Sequence, residues 1–532
     1  MVLMRMSSFC YLRLAFRRMS YLVIAAGIVL SAVAAMFVLK PSAVEAAAPA
    51  GTDGAVRAAV AKLPAYVRQV MKKTGVPGVA VAVVHENKLI YAEGFGVRST
   101  VSGGVVTPET VFQVASVSKP VGATAVAAAI SKGYVKWNTP VAPLLPGFSL
   151  SNPDVSGRVT IGDLYAHRSG LPGHFGNDLE VLGFDRQYIF EKARLEPLAP
   201  FRTAYAYSNF GLTAGGVAAA NAAGKDWTAM TRDFLFAPLG MSRSSYSHAM
   251  LAQTENVASL HQQVRGRWVP GPMRNAEAQA PAGGVNSSVM DLSRWMRMVL
   301  AEGMFEGRRI TSKAPLEEML SMQFKRAEDG EGGASGQGFG MEVLIDSKGS
   351  TTWLHPGNFQ AGASTQVYFI PEFELGIVTL TNGWPVGVPE AISATFDDWV
   401  RFGQSTQDWL QVTRAIFAPL ITPTFMIDGQ TRPQSPKPAG ALASYAGRYV
   451  SEYAGDARVI VEKGRLVLTL GPKGKTRIPL RHWDSDVFFY NDLVLPEGFY
   501  HALRFNRDSQ NNVTSLMMDE INSGLGMFER RR

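Results

Sequence analysis

Strand patterns at two distant places in the chain constrain its fold most strongly. Runs rich in β-branched and aromatic residues stand at Val79–Val84, Lys88–Phe95, Thr351–Leu354, Ser364–Ile370 and Leu375–Leu380. The first two flank His85–Glu86–Asn87, which predicts a hairpin, and an amphipathic helix pattern over 52–73 precedes them. An alanine-rich helix pattern from about 117 to 132 opens the long region in between. This order predicts an α/β (α+β) sandwich with a helical subdomain.

The C-terminal residues 441–532 have a different pattern. Short alternating runs occur at Tyr445–Val450, Ala457–Val461, Leu466–Leu470, Val487–Tyr490, His501–Phe505 and Val513–Met518. Such a series predicts a small all-β barrel or sandwich. The Pro-rich polar segment 431–440 (TRPQSPKPAG) is predicted to be a linker, so that residues 52–430 form one domain and 441–532 another.

The N-terminal segment has the features of an export signal. Residues 21–39 (YLVIAAGIVLSAVAAMFVL) contain no charged side chain and follow Arg17–Arg18. Small residues beyond them suit cleavage after Ala46 or Ala48, so residues 1–48 are predicted to be a signal peptide. The run is long for a signal, and an uncleaved membrane anchor is the alternative. In both versions the body of the protein is exported, and a membrane contact, through 21–39 alone, is expected only if the segment stays uncleaved.

Charge and cysteine content argue against two classes of function. The net charge is +8, but residues 1–44 hold five basic residues and no acidic one. The remainder has 47 of the 52 basic residues against all 44 acidic ones, a net charge of +3, and no Lys/Arg stripe of the kind that nucleic-acid binding needs. Cys10 is the single cysteine, and the eight histidines show no metal-ligand spacing. Neither a metal nor another cofactor is expected.

An S-x-x-K motif stands at the start of the alanine-rich helix. If Ser116 opens the helix, Lys119 lies one turn later on the same face. A serine hydroxyl needs a base to act as a nucleophile, and a buried lysine can supply one because burial favours the neutral amine. The motif is short, however, and the alternative is a helix-capping serine with a surface lysine.

Two further motifs follow along the chain. Tyr207–Ser208–Asn209 is Y-x-N, in which a tyrosine beside an amine can exchange protons and an asparagine can bind the amine and a substrate amide. His355–Pro356–Gly357 is H-x-G in a β-rich segment. Gly357 permits close approach of a ligand, and Pro356 indicates an edge strand or a strand end, which can receive an extended substrate. Taken alone, these motifs favour the alternatives, a core tyrosine with a satisfied hydroxyl and a turn with a surface histidine.

Other short motif matches in the chain lack the position or the secondary-structure context that a catalytic motif needs. Lys73–Thr74–Gly75 lies at a predicted helix end, where its glycine suits a C-cap. His174–Phe175–Gly176 precedes the Y-x-N motif and is left out of the predicted site. Residues 330–340 are glycine-rich without a nucleotide-binding context and are predicted to be a loop. Three residues that lie close in the chain are predicted to cap and pack and not to form a catalytic triad: Asp163, His167 and Ser169.

Taken in order, S-x-x-K, Y-x-N and H-x-G resemble the serine β-lactamase and penicillin-binding-protein superfamily. The Y-x-N form is similar to class C β-lactamases, D-alanyl-D-alanine carboxypeptidases, D-aminopeptidases and related esterases. The flanking stretches 107–119 (TPETVFQVASVSK), 163–172 (DLYAHRSGLP) and 282–292 (AGGVNSSVMDL) also look like the family, and the resemblance covers about residues 55–400. It implies an antiparallel sheet with flanking helices, a site between the sheet and the helical part, and a lipocalin-like C-terminal domain.

The resemblance also implies roles for individual residues. Ser116 would be the nucleophile, with Lys119 and Tyr207 as the acid/base pair. Asn209 would orient Lys119 and the substrate. The backbone N–H groups of Ser116 and Asn358 would form the oxyanion hole. The reaction would pass through an acyl-enzyme that water then hydrolyses, without a metal.

The third motif departs from the β-lactamase pattern. β-Lactamases mostly have Lys-Thr-Gly on that strand, where the lysine binds a carboxylate. Here His355 replaces the lysine and is fully charged only at lower pH, and Pro356 lacks the hydroxyl that relatives use for the carboxylate. His355 and Gly357 are nevertheless predicted to line the substrate site. The departure argues against an efficient β-lactamase.

The sequence therefore predicts an exported serine peptidase or amidase. Its substrates would be small peptides with D-residues or other unusual features, such as cell-wall stem peptides or linearised non-ribosomal peptides. A carboxylesterase with the same machinery is the main alternative. A β-lactamase and a sensor that is acylated without turnover are further alternatives. The sequence leaves the oligomeric state open.

Overall fold

The computed structural model describes residues 52–531 except 329, 331, 385–386, 423–425 and 428. The predicted signal or anchor, with Cys10 and the apolar run 21–39, lies outside the described residues. Among the helices that are described, none combines the length and the apolar character that a membrane crossing requires.

The helices begin and end where the local sequence allows. In the first helix, the Thr52 hydroxyl caps the N-terminus by accepting from the Ala55 N–H, and Gly75 ends it in the left-handed region with φ +70°. The α-helices are α1 (Asp53–Thr74), α2 (Ser118–Ser131), α3 (Pro153–Arg158), α4 (Ile161–Tyr165), α5 (Asn177–Val181), α6 (Arg186–Lys192), α7 (Asn209–Ala222), α8 (Trp227–Thr231), α9 (His248–Ala252), α10 (Ala280–Gly283), α11 (Val289–Leu300), α12 (Lys313–Leu320), α13 (Val388–Phe402) and α14 (Trp409–Ile421).

A nine-stranded antiparallel sheet forms the centre of the N-terminal part. The strands up to residue 431 are β1 (Gly78–His85), β2 (Lys88–Ser99), β3 (Gly103–Val105), β4 (Phe112–Gln113), β5 (His261–Val264), β6 (Arg267–Pro270), β7 (Asn286–Ser287), β8 (Met304–Phe305), β9 (Arg308–Arg309), β10 (Phe324–Glu328), β11 (Ala334–Gln337), β12 (Glu342–Ile345), β13 (Thr351–Phe359), β14 (Ala363–Ile370), β15 (Leu375–Thr381), β16 (Gly383–Trp384), β17 (Met426–Ile427) and β18 (Gln430–Thr431). The sheet order is β10-β11-β12-β13-β14-β15-β1-β2-β3. The predicted hairpin and the returning strands thus meet in one sheet.

Helices cover both faces of this sheet. Every residue of β1 is buried, and successive side chains of a strand point to opposite faces. Val79, Val81 and Val83 pack in one cluster with apolar residues of α1 and α13. Ala80 and Ala82 belong to the cluster that contains α2 and α11 on the other face. The predicted sandwich of an antiparallel sheet with flanking helices is confirmed.

In the helical subdomain, α2 and α7 contact each other, and both pack against α10. Both helices are rich in alanine and glycine and are buried along most of their length. A Cβ on Gly122 of α2 would lie 3.0 Å from the Trp227 ring and 3.1 Å from the Pro281 carbonyl oxygen. The N-terminus of α7 lies beside the first turn of α2, where Lys119 of the S-x-x-K motif contacts Asn209.

The C-terminal residues form a second nine-stranded antiparallel sheet. Its strands are β19 (Gly447–Ser451), β20 (Gly455–Glu462), β21 (Arg465–Leu470), β22 (Thr476–Pro479), β23 (Arg481–Asp484), β24 (Val487–Asn491), β25 (Tyr500–Arg507), β26 (Val513–Met518) and β27 (Met527–Arg531). The order is β22-β21-β20-β19-β27-β26-β25-β24-β23. Only Leu480 separates the two outermost strands in the chain, so the sheet curls into a nearly closed barrel. The predicted small all-β barrel is confirmed.

The barrel contacts the helical subdomain through a buried tyrosine. The Tyr453 hydroxyl donates to Asp178 Oδ1 at 3.1 Å, and the Tyr453 backbone oxygen accepts from the Tyr188 hydroxyl at 2.9 Å. Glu196 is fully buried in the same region, and burial raises its pKa to about 7. These polar contacts join the two parts next to α5.

Two local expectations need revision. Residues 334–337, predicted within a glycine-rich loop, form β11, because β10 and β12 pair with it on both sides and supply its backbone partners. Pro356 lies within β13, in the interior of the sheet order, and not on an edge strand. However, β12 pairs only with residues 351–354 of β13, whereas β14 pairs with 353–359. Residues 355–359 therefore have a paired neighbour on one side, which suits a residue without an N–H.

Replacing Tyr453 by phenylalanine tests the contact between the two parts. Removal of the hydroxyl deprives buried Asp178 of a donor, so the free energy of unfolding should fall by about 1–3 kcal/mol in urea denaturation. Tyr134→Phe is the control, since Tyr134 is 45% exposed and should change stability little. Equal stability of the two variants would contradict the importance of this contact.

Candidate active site

Ser116 lies in a tight turn that precedes α2. The 3₁₀ turn Ala115–Val117 leads directly into the helix, and Ala115 is fully buried with φ +49°, a conformation that alanine rarely adopts. Such local strain is found where the surrounding structure holds a functional residue in place. The turn leaves Ser116 partly exposed and places Lys119 in the first turn of α2.

Lys119 is fully buried, and three oxygens surround its amine. Nζ lies 3.0 Å from Ser116 Oγ, 2.7 Å from Asn209 Oδ1 and 3.0 Å from the Ala282 carbonyl oxygen. Burial lowers the pKa of Lys119 well below its usual value, since none of these partners carries a charge. The neutral amine is therefore favoured.

The partners of the neutral amine fix its orientation. A neutral amine has two N–H donors and one lone pair. Asn209 Oδ1 and the Ala282 carbonyl oxygen are acceptors and take the two donors. The lone pair is then left for the hydroxyl proton of Ser116, which is the geometry that a general base needs.

Tyr207 completes the contacts of Ser116. Its hydroxyl lies 2.9 Å from Ser116 Oγ, and its ring centroid lies 4.6 Å from Lys119 Nζ. Burial raises the pKa of Tyr207, so the phenol stays protonated. The structure thus brings together Ser116, Lys119, Tyr207 and Asn209, as the sequence motifs predict.

Strand β13 runs against the turn that carries Ser116. A Cβ on Gly357 would lie 2.4 Å from the Val114 carbonyl oxygen and 3.0 Å from the Val117 nitrogen, so only glycine fits there. The Thr365 hydroxyl of β14 donates to the same Val114 oxygen at 2.8 Å. Asn358 is partly exposed next to this contact, and its Oδ1 accepts from the Ser364 hydroxyl at 2.8 Å.

His355 is buried at the start of the segment 355–359 of β13. Its Nδ1 lies 2.7 Å from the Pro356 carbonyl oxygen, which can only accept, so Nδ1 carries the proton. Burial, reinforced by the nearby Lys119 amine, lowers the pKa of His355 to about 3. His355 is consequently uncharged at neutral pH and cannot act as the cation that a lysine would provide.

A chain of side-chain amides extends behind Asn209. Asn209 Nδ2 donates to Asn177 Oδ1 at 3.3 Å, and Asn177 Nδ2 lies 3.2 Å from His174 Nδ1. Burial lowers the pKa of His174 to about 4, so its Nδ1 is free to accept. This chain fixes the Asn209 amide with Oδ1 directed at Lys119. His174 and Asn177 are thus part of the site, although neither is among the residues that the sequence motifs predict for it.

His167 supports Tyr207 from another direction. Its Nδ1 accepts from the Ser208 N–H at 3.1 Å, and its ring centroid lies 4.6 Å from that of Tyr207. Burial lowers the pKa of His167, so it stays neutral. Asp163 caps α4 with Thr160 and does not contact His167 as a triad would. The predicted capping and packing roles of Asp163 and His167 are confirmed.

Two groups of side chains in the described residues could in principle hold a metal ion. They are Asp53, His85 and Glu86 in one case and Asp492, His501 and Glu520 in the other. In the second group, His501 Nε2 lies 2.9 Å from Asp492 Oδ2, and the Tyr490 hydroxyl donates to Glu520. Neither group includes a residue of the site at Ser116.

Comparison with known families covers most of the chain. The family model described as Beta-lactamase matches residues 63–398, and a domain of unknown function, DUF3471, matches residues 431–529. The first match includes every predicted site residue.

Curated relatives are moderately similar. Penicillin-binding protein 4 of Amycolatopsis lactamdurans is 29% identical over 58% of this chain and 81% of its own length. D-alanyl-D-alanine-carboxypeptidase/endopeptidase AmpH of Escherichia coli K12 is 24% identical over 60% of this chain and 83% of its own length. Unguisins hydrolase ungD' of Aspergillus campestris is 29% identical, but over only 44% of this chain and 46% of its own length.

Solved structures show the same fold over both parts of the chain. The octameric penicillin-binding protein homologue from Pyrococcus abyssi superposes with a TM-score of 0.57 at 21% identity, covering 88% of this chain and 100% of that one. The SurE structure gives a TM-score of 0.54 at 21% identity, covering 90% and 100%. The family match over 63–398 places the chain in the Beta-lactamase family of serine hydrolases.

Proposed function

We propose that the protein is an exported serine peptidase or amidase that cleaves D-residue-containing or otherwise unusual peptides through an acyl-enzyme. One observation carries the proposal: Ser116 Oγ lies within hydrogen-bond distance of both a buried lysine amine and a tyrosine hydroxyl. Export is proposed from residues 21–39 of the sequence alone.

In the acylation step, Ser116 Oγ attacks the carbonyl carbon of the scissile bond. The lone pair of Lys119 takes the hydroxyl proton as the new C–O bond forms. The backbone N–H groups of Ser116 and Asn358 bind the oxyanion. When the C–N bond breaks, the leaving nitrogen receives a proton through Lys119 and Tyr207, and the acyl group remains on Ser116.

Deacylation uses the same groups in reverse. A water molecule attacks the acyl carbonyl carbon, and its proton passes to the neutral amine of Lys119, with the protonated Tyr207 hydroxyl as a relay. The ester bond to Ser116 then breaks, and Oγ regains a proton from the same pair. Every proton transfer takes place among Ser116, Lys119 and Tyr207, which contact one another, so no charge forms without a hydrogen-bonding partner.

Two observations support a peptide as the substrate. The stretch 355–359 of β13 lacks a paired neighbour on one side, so an extended peptide can add there by backbone hydrogen bonds. The name of the AmpH relative states that it is a carboxypeptidase and endopeptidase, which favours peptide bonds as substrates here. An esterase would use the same groups and is separated from a peptidase by the first experiment below.

Ser116→Ala should abolish cleavage of D-residue peptides, because no other group supplies the acyl acceptor. The measurement is LC–MS of a panel with D-alanyl-D-alanine ends, D-aminoacyl amides and blocked internal peptides. Ser102→Ala, in an exposed turn, is the control and should retain full activity. Cleavage that persists in Ser116→Ala contradicts the proposal. Turnover of acyl esters without any peptide cleavage would instead identify an esterase.

The pH dependence of kcat/KM should follow the protonation of Lys119. Since its pKa is lowered, the active neutral amine is present at neutral pH, and activity should fall as pH decreases through that pKa. Asn209→Asp puts a carboxylate at the 2.7 Å contact and favours the charged amine. The acidic limb should then move upward by about 1–3 pH units.

Asn221→Asp is the matched control for this profile. It introduces the same charge near the other end of α7, at an exposed position. Its profile should coincide with that of the unmodified protein. A limb that does not move in Asn209→Asp would exclude Lys119 as the titrating base.

A further inference from the structure

Arg326 on β10 adjoins the site but is already paired. Its guanidinium carbon lies 5.4 Å from the ring centroid of Tyr205, which in turn lies 5.8 Å from that of His167. Nη2 donates to Glu342 Oε2 at 2.7 Å, and the two side chains are 11% and 1% exposed. Nε and Nη1 have no hydrogen-bond partner and are shielded from solvent. The pair offers no net positive charge to a ligand.

A second arginine lies beyond the end of β13 and is likewise paired. Arg274 Nη2 donates to Glu180 Oε2 at 2.6 Å, and its guanidinium lies 4.6 Å from the ring centroid of Phe359. A third basic side chain, Lys119, contacts Ser116 directly, but burial favours its neutral form. Around the cleft, these described basic groups therefore supply no unbalanced positive charge.

The groups that the cleft does expose are neutral. Asn177, Asn209 and Asn358 are each partly exposed, and their amides combine donors with acceptors. His355 is buried behind this lining and is uncharged, with the proton on Nδ1 and no hydrogen-bond partner at Nε2. Pro356 contributes no hydroxyl. Such a lining matches peptide amides, and it offers a carboxylate no cation.

We propose that this site selects peptides whose carboxyl end is blocked, meaning internal, cyclic or amidated peptides, over peptides that end in a free carboxylate one residue after the scissile bond. The inference rests on the proposed peptidase function and specifies its substrate class. A carboxylate bound here would lose water without gaining a cation, and burial of an unpaired charge is costly. An amide at the same position loses less hydration and can bond to the asparagine side chains.

Two substrates that give the same acyl-enzyme test this selectivity. An acyl-D-alanyl-D-alanine with a free carboxylate and its C-terminal carboxamide differ only on the leaving side. kcat/KM for the carboxamide should exceed that for the acid by about tenfold or more, as expected when an unpaired charge is desolvated. The ratio should stay constant between pH 5.5 and 8.5, because the pKa of His355, with Lys119, Arg326 and His167 around it, is about 3.

A kcat/KM for the free acid that equals or exceeds that for the carboxamide would overturn the inference and leave the peptidase function intact. The inference would also fail if the acid-to-amide ratio of kcat/KM rose as pH decreased through the range in which an ordinary histidine becomes protonated. If neither peptide is cleaved, the proposed function fails, and the selectivity is then read from inhibition of small acyl ester hydrolysis. Stronger inhibition by the amide supports the inference, and stronger inhibition by the acid overturns it.

A charge variant examines the cause of the selectivity. Glu342→Gln removes the counter-charge of Arg326, so the acid-to-amide ratio of kcat/KM should rise about fivefold or more. Glu317→Gln makes the same charge change on the exposed face of α12 and should leave the ratio unchanged. Pro356→Thr, which adds a hydroxyl to the open stretch of β13, should also favour the acid if Glu342→Gln does not fold. An unchanged ratio in the folded variant contradicts this cause.

Discussion

The burial of one lysine amine is the interaction on which the site depends. Lys119 is surrounded by uncharged oxygens from three different segments: Ser116 before α2, Asn209 at the start of α7, and Ala282 in α10. A charged amine in this position would be desolvated without a counter-ion. The packing of the helical subdomain thus creates a base, and the same contacts point its lone pair at Ser116.

The architecture explains how these segments meet. Glycines on α2 and α7 allow both helices to pack closely on Pro281 of α10, and β13 approaches the Ser116 turn because Gly357 has no side chain. Behind Asn209, the amide chain reaches Asn177 at the start of α5. The next residue, Asp178, accepts from Tyr453 of the barrel. The C-terminal barrel is therefore joined to the helix that orients the partner of Lys119.

The sequence predicted the parts of the site that depend on local spacing. S-x-x-K sets two side chains one helical turn apart, and the order of the three motifs indicated which matches belong together. His174 and Asn177 could not be assigned in this way, because their role depends on a tertiary contact with Asn209. The H-x-G motif at 174–176 could have pointed to His174, but the H-x-G motif at 355–357 follows S-x-x-K and Y-x-N in the expected order. The neutrality of His355 and the pairing of Arg326 depend on burial, which no motif encodes.

Trapping the covalent intermediate is the most direct test of the account. The full chain is mixed with a D-residue peptide or an acyl ester, quenched in acid during turnover, digested and mapped by mass spectrometry. The account predicts an added acyl mass on the peptide that contains Ser116, and its loss when Lys119 is replaced by methionine while Lys132→Met retains it. An adduct on another residue, or turnover without any acylated protein, would contradict the central claim that Ser116 reacts through the buried amine.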